Sequence, residues 1–316
     1  MLTRATPTEE FPLPYAVNPE LAVGLPGKAR EAEPSRYPRR AEPDVGGLTV
    51  EDREVPGRHG APSVPVRVYR PSRGSEPRPA VLHLHGGGFV TGGLDTDHAG
   101  AAALAEAVGA VVVSVDYRLA PEHPHPAAVV DCYAALVWLA ETSDELGVDP
   151  ARIAVVGRGA GGGLAAAVAL LARDCGGPAP AFQALVSPAL DDRLATESMR
   201  TSVDPRVGHE RSWAAYLGDE AGGPFVSSYA APARVTDLTR LPPAYVTASQ
   251  FDAVRDEAQE YARRLAQANV PVELHLYPGV DLSPRTEADL AGALGRALAA
   301  PRPAENSVTS RKAGRS

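Results

Sequence analysis

The residues Gly157-Arg158-Gly159-Ala160-Gly161 have the spacing of a G-x-S-x-G turn. In such a turn a buried strand swings sharply into a helix and presents a serine hydroxyl at the corner. The corner residue here is Gly159, so the turn carries no hydroxyl. Upstream, His85-Gly86-Gly87-Gly88 closes an apolar run, Ala80–His85. Glycines at that place let the backbone N–H groups of Gly87 and Gly88 converge with that of Ala160 on one oxygen atom. Donors aimed in this way stabilise negative charge that develops on a carbonyl oxygen. The pattern therefore points to carbonyl chemistry with an amide cradle and without the usual nucleophile.

Other side chains bear on that cradle. Asp252 and Asp281 are the candidates for moving a proton. Held close together, two carboxylates raise one pKa and make a general acid/base without histidine; alternatively, Asp281 is a solvated turn or helix-cap residue. Arg158 either pairs with a nearby carboxylate or offers its planar fork to an anionic substrate group. His209, Trp213 and Tyr216 fall at helical spacing and either line a pocket or pack a lid; His85 and Gly159 complete the candidate binding set. His123 and His125 flank Pro124 and read as structural, as does His275. Asp95, Asp97 and His98 have no second cluster at ligand spacing, and Asp97 reads as a helix N-cap. No metal and no cofactor are expected.

The elements that must position these residues alternate. Strands are predicted at Leu48–Val55, Val64–Tyr69, Ala80–His85, Val111–Val115, Arg152–Val156, Ala181–Ser187, Ala244–Ala248 and Val272–Tyr277. Helices are predicted at Asp97–Val108, Asp131–Ala140, Ala160–Arg173, Ala253–Asn269 and Glu287–Ala299. Repeated β-α units imply an α/β fold, a mostly parallel sheet with helices on both faces. Residues 189–232 break the alternation and gather Met199, His209, Trp213, Tyr216, Phe225 and Tyr229, which reads as a helical lid over the strand ends. Residues 1–46 read as an N-terminal arm, either loosely ordered or folded over the pocket through Phe11, Leu13, Tyr15 and Leu21. Residues 47–300 form the main domain, and 301–316 read as a polar, disordered tail.

Composition narrows the function classes. A net charge of −8 and a pI near 5.5 argue against a nucleic-acid or anionic-membrane surface. With apolar residues at 44% and aromatics at 5%, the 316-residue chain must build its core mainly from Ala, Val and Leu. Lysine occurs only at Lys28 and Lys312, a bias of GC-rich bacterial genomes. Cys132 and Cys175 suit small buried hydrophobes and make no metal site. The first residues lack an apolar signal core, and no run is long enough to span a membrane, so a cytoplasmic protein is expected. The expected partner is a small molecule, with association into a homodimer left open.

Several segments carry a resemblance. They are His83-Leu84-His85-Gly86-Gly87-Gly88-Phe89, Asp116-Tyr117-Arg118-Leu119-Ala120-Pro121-Glu122-His123-Pro124, Gly147-Val148-Asp149-Pro150, the 157–161 turn, Phe251–Glu257 and Tyr277-Pro278-Gly279. From about Leu48 to Leu298 the chain resembles the hormone-sensitive-lipase-like branch of the α/β-hydrolases, the bacterial carboxylesterases. The resemblance implies an α/β-hydrolase fold with an oxyanion hole at Gly87, Gly88 and Ala160. It places the family's acid at Asp252, its serine at Gly159 and its histidine at Leu282. An acid usually stands where this chain has Arg158.

With hydroxyl and base both replaced, ordinary serine-type hydrolysis loses its nucleophile. The leading expectation is a non-hydrolytic small-molecule enzyme of cyclase, dehydratase/lyase or isomerase type, in a setting such as natural-product biosynthesis. A ligand-binding pseudoenzyme is the alternative, and residual carboxylesterase action through a held water is a third.

Overall fold

The five residues Val111–Val115 are all buried, as a β-branched run covered on both faces must be. They lie inside an eight-stranded sheet. The computed structural model describes residues 45–58, 60–202, 206–279 and 284–299. The expected arm before residue 45, the tail after 299, and Asp281 and Leu282 fall outside them.

The strands are β1 Leu48–Val55, β2 Val64–Pro71, β3 Arg78–Leu84, β4 Val111–Val115, β5 Val148–Arg158, β6 Phe182–Val186, β7 Ala244–Ser249 and β8 Val272–Tyr277. The helices are α1 His98–Val108, α2 Ala127–Glu141, α3 Ser143–Leu146, α4 Ala160–Cys175, α5 Glu197–Thr201, α6 Arg206–Leu217, α7 Arg255–Gln267 and α8 Pro284–Ala299. The sheet order is β1-β2-β4-β3-β5-β6-β7-β8. β1 and β2 pair antiparallel, β2 and β4 likewise, and every later pairing is parallel.

Two apolar layers sandwich the sheet. On one face Ala101 and Leu104 of α1 and Leu290 and Leu294 of α8 pack with Val81, Val112, Val156 and Tyr245. On the other, α2, α4 and α7 share a core with the segment after β6, through Leu136, Leu164, Leu190, Trp213, Tyr216 and Tyr261. Ala-rich α4 is buried along nearly its whole length, because small side chains let a helix lie close on the sheet.

α2 starts at Ala127, four residues before the expected Asp131, because Ala128 and Val129 already face the core. β5 starts at Val148 rather than Arg152, because Val148 pairs with Arg78 ahead of a register shift. Cys132 is buried and Cys175 exposed, and both are free thiols. Among the described residues no helix is long and apolar enough to cross a membrane.

Candidate functional site

β5 ends at Arg158, and α4 begins at Ala160. Gly159 between them has φ 52° and ψ −118°. A residue with a side chain is strained in that region, whereas glycine enters it readily. The corner is held from several sides. Gly159 N donates to Val186 O at 3.0 Å, and Gly159 O accepts from Ala189 N at 2.9 Å and Gly163 N at 3.1 Å. Among the described residues, a Cβ placed on Gly159 would meet no atom within 4 Å. The corner thus keeps the shape of a turn that presents a side chain, and no described residue fills the place where that side chain would stand.

The flanking glycines are there for close approach. A Cβ on Gly161 would lie 2.2 Å from Leu84 O, and one on Gly157 would lie 2.0 Å from Gly161 O. The first turn of α4 is therefore pressed onto the ends of β3 and β5. That contact brings the N–H of Ala160 beside the loop leaving β3.

In that loop Gly87 has φ 120°, Gly88 φ 61° and Phe89 φ 67°. Gly87 O accepts from Val90 N at 3.1 Å, Thr91 N at 3.0 Å and Thr91 Oγ1 at 3.0 Å, which fixes the bend. The N–H groups of Gly87 and Gly88 donate to no acceptor among the described residues, and that of Ala160 is the first of its helix. These are the amides the sequence assigned to the cradle.

His85 supports this loop from beneath. It is 1% exposed and stacks on Tyr117 with ring centroids 4.1 Å apart. Its Nδ1 lies 2.7 Å from Gly86 O, and Tyr117 Oη donates to His85 O at 2.7 Å. Burial pulls the imidazole down to about 4, against a smaller opposing effect of the Gly86 carbonyl. The ring is therefore neutral, with its proton on Nδ1 as that bond requires. Expected among the binding residues, His85 takes a supporting place under the cradle.

Trp213 and Tyr216 on α6 are likewise buried, at 2% and 1% exposure. Phe89 stacks on Tyr216 at 4.1 Å and 4°, and tilts against Trp213 at 5.1 Å. They pin α6 to the cradle loop by packing. His209, one turn earlier, is half-buried.

Asp252 stands in the turn after β7. Its N donates to Ser249 O at 3.1 Å, and its Oδ1 accepts from Val254 N at 3.2 Å. The neighbouring Phe251 N donates to Gly279 O at 3.1 Å, tying this turn to the loop after β8. β6 separates β5 from β7, and two strand spacings are about 10 Å. An aspartate side chain does not span that distance, so Asp252 needs an intermediary to act at the corner. The family's histidine would be that intermediary, and Leu282, at its position, lies outside the described residues, as does Asp281.

Arg158 settles on the α1/α8 side of the sheet. Its Nη2 donates to Glu287 Oε2 at 2.7 Å. Of the two alternatives for this residue, the carboxylate pair is the one formed. Nearby, Asp97 Oδ2 lies 3.2 Å from His83 Nε2, and His83 Nδ1 lies 3.2 Å from Ser114 Oγ. Burial pushes the Asp97 carboxyl up, but His83, Arg158 and His85 outweigh it and hold it below its ordinary range. Asp97 occupies the N-cap position of α1 without making a side-chain cap bond, because its carboxylate turns to His83 instead. No group of three or more metal-ligating side chains occurs among the described residues.

Sequence reasoning missed Ser212, Glu257 and Glu287. Ser212 had a signal available, since it shares a helical face with His209 and Tyr216. Glu257 and Glu287 had none, because their partners are remote in the chain.

Residues 81–282 match the family described as the alpha/beta hydrolase fold. Over 237 residues the chain is 43% identical to carboxylesterase NlhH of Mycobacterium tuberculosis, covering 73% of this chain and 74% of that one. It is 34% identical over 247 residues to an arylesterase of Saccharolobus solfataricus, covering 74% and 78%. Among solved structures it is similar to a bacterial heroin esterase, with TM-score 0.79 and 44% identity over 82% of this chain and 87% of that one. It is also similar to esterase LipW from Mycobacterium marinum, with TM-score 0.73 and 39% identity over 80% and 83%. With this fold, this turn and these relatives, the chain belongs to the hormone-sensitive-lipase-like family of α/β-hydrolases, in the company of bacterial carboxylesterases.

Proposed function

We propose that this chain is a small-molecule enzyme that holds a carboxylic ester or related carbonyl compound in the amide cradle and acts on it without forming an acyl-enzyme at residue 159. The observation that carries this reading is the corner itself. Among the described residues, Gly159 carries no hydroxyl and has nothing against the position of a Cβ, and the amides of Gly87 and Gly88 beside it donate to no acceptor. A covalent route needs a nucleophile with an adjacent base. An oxyanion cradle has no such requirement, because it stabilises charge on the carbonyl oxygen whatever atom attacks the carbon.

The attacking atom then comes from water or from the substrate. With water, its oxygen bonds to the carbonyl carbon, the π pair moves onto the oxygen held by the amides, and the tetrahedral adduct collapses by breaking the ester C–O bond. The attacking water gives up one proton to solvent, and the departing alkoxide takes one from solvent. The esterase relatives favour this hydrolytic form. Cyclisation, elimination or isomerisation, the reading drawn from the residues alone, differs in where the attacking atom or proton originates and gains no support from those relatives. Arg158 is engaged by Glu287, which leaves the cradle as the chief anchor for an anionic oxygen.

The test is a pre-steady-state assay with p-nitrophenyl acetate, combined with a serine-directed phosphonate and intact-mass analysis. The expected result is no burst of nitrophenol and no adduct, with any turnover slow and linear. Gly159→Ser is expected to stay weakly active, because the family's base position holds Leu282. An acetyl adduct on the native chain, or strong esterase activity in Gly159→Ser, overturns the reading.

A further inference from the structure

Helix α6 brings one more polar group to the cradle. Ser212 is 8% exposed, and its Oγ lies 2.6 Å from where a Cβ on Gly88 would sit, with its own Cβ 3.3 Å from that point. The hydroxyl thus occupies the space against the Gly88 backbone that a side chain would otherwise fill. No hydrogen bond of this hydroxyl is formed among the described residues. A helical serine or threonine commonly turns back to the carbonyl four residues earlier. Thr142 does so to Trp138 O at 2.7 Å, and Thr201 to Glu197 O at 2.9 Å. Ser212 does not.

The placement is held firmly. Trp213 and Tyr216, on the same helix, pack on Phe89, the residue that follows Gly88. Moving Ser212 away from the cradle would therefore mean unstacking those rings.

We propose that Ser212 is a side-chain donor of the cradle, giving its O–H to the same carbonyl or carboxylate oxygen that the Gly87, Gly88 and Ala160 amides hold. This inference rests on the carbonyl-binding reading above and adds a residue to it. A hydroxyl suits the role because its proton rotates freely toward whichever oxygen gains charge. Bonds to a charged oxygen are roughly twice as strong as neutral ones, so Ser212 favours an anionic oxygen over a neutral one. The class of ligand is a short-chain carboxylate, or the oxyanion formed when its ester is attacked.

The experiment is calorimetric titration of the full chain with sodium butyrate and, in parallel, with neutral butyramide. For the native chain, butyrate is expected to bind more tightly than butyramide. Ser212→Ala is expected to weaken butyrate about tenfold to a hundredfold, the range for a hydrogen bond to a charged group, and to weaken butyramide less. Ser212→Thr keeps the hydroxyl and is expected to retain most of the preference. Near-UV circular dichroism checks that each variant is folded. Equal losses for the two ligands indicate packing alone and overturn the donor role, as does unchanged butyrate binding in Ser212→Ala. Phosphonate labelling of Ser212 itself would make it a nucleophile and also overturn it. If the native chain binds neither ligand, the carbonyl-binding reading falls and takes this inference with it.

Discussion

Arg158 Nη2 donates to Glu287 Oε2 at 2.7 Å, and so joins the last residue of β5 to the first turn of α8. The two residues are 129 positions apart. Glu287 also gains from its place near a helix N-terminus, where the macrodipole favours negative charge. The pair is partly enclosed, with the Arg158 side chain 15% exposed. It straps the corner to α8.

Arg158→Ala should therefore cost about 1–3 kcal/mol of stability, the range for removing one partner of a partly buried charged hydrogen bond. Arg158→Asp should cost more, because it sets a third carboxylate beside Asp97 and Glu287. Chemical denaturation measures both, and a double-mutant cycle with Glu287→Gln should show coupling. Butyrate affinity should be unaffected by Arg158→Ala. A large loss of affinity with intact stability would mean that the guanidinium reaches the ligand.

The glycines around the corner should separate by mechanism. Gly161→Ala drives a methyl to 2.2 Å from Leu84 O, a backbone atom that cannot yield without moving β3. It should cost about 3 kcal/mol or more, the upper end for overpacking. Gly159→Ala meets nothing within 4 Å among the described residues and suffers the penalty of φ 52°, about 1–3 kcal/mol for a non-glycine residue held in a sparsely populated region. Thermal melts should rank Gly161→Ala well below Gly159→Ala. The reverse order would mean that α4 is not pressed on the strand ends as described.

Much of this architecture was legible in the chain. Leu48–Val55, Val111–Val115 and Val272–Tyr277 were read with their observed bounds, because alternation or an unbroken β-branched run marks a strand locally. The corner and the cradle were legible because glycine is needed wherever backbone must approach backbone. What could not be read were pairings that form only when distant elements meet. Nothing near Arg158 announces Glu287, and nothing near Gly88 announces Ser212. Asp97 stands at the N-cap position its sequence place suggests, but its carboxylate meets His83, and His85 beside the Gly triplet stacks on Tyr117; nothing local announces either contact.

Glu257 gives a prediction of opposite sign to the usual carboxylate. It is 4% exposed, its Oε1 accepts from Leu190 N at 2.9 Å, and its Oε2 has no hydrogen-bond partner among the described residues. Burial pushes its pKa well above the ordinary 4.5, helped by the neighbouring charges of Asp191 and Asp252. Between the unfolded and folded pKa values the native chain holds a proton that the unfolded chain has lost. Stability from this group is therefore full below about pH 4.5 and falls as pH rises toward the folded value, by up to about 1.4 kcal/mol per pH unit. Glu257→Gln mimics the protonated acid and should remove that slope, leaving the variant as stable as the native chain or more so at neutral pH. Denaturation at several pH values measures it, and a Gln variant destabilised at pH 7 would mean that the carboxylate is ionised in place.

His85 should act in the other direction, on the acid side. Its folded pKa of about 4 lies below the unfolded 6.5, so the unfolded chain takes up a proton that the native chain refuses. Stability from this group is whole above about pH 6.5 and is lost as pH falls toward 4, for a total of about 3 kcal/mol. The loss falls on the residue that carries the cradle loop, since protonation would force a charge into the stack with Tyr117. His85→Asn places an amide N–H near the Nδ1 position, so it can still donate to Gly86 O but cannot titrate. Its stability should fall less steeply between pH 6.5 and 4 than that of the native chain, by one proton in the linkage slope. Butyrate binding by the native chain should fade over the lower part of that interval, while His85→Asn keeps its affinity further down. Identical slopes in the two proteins would show that the imidazole is hydrated and charges freely within the fold, and the cradle would then need another support.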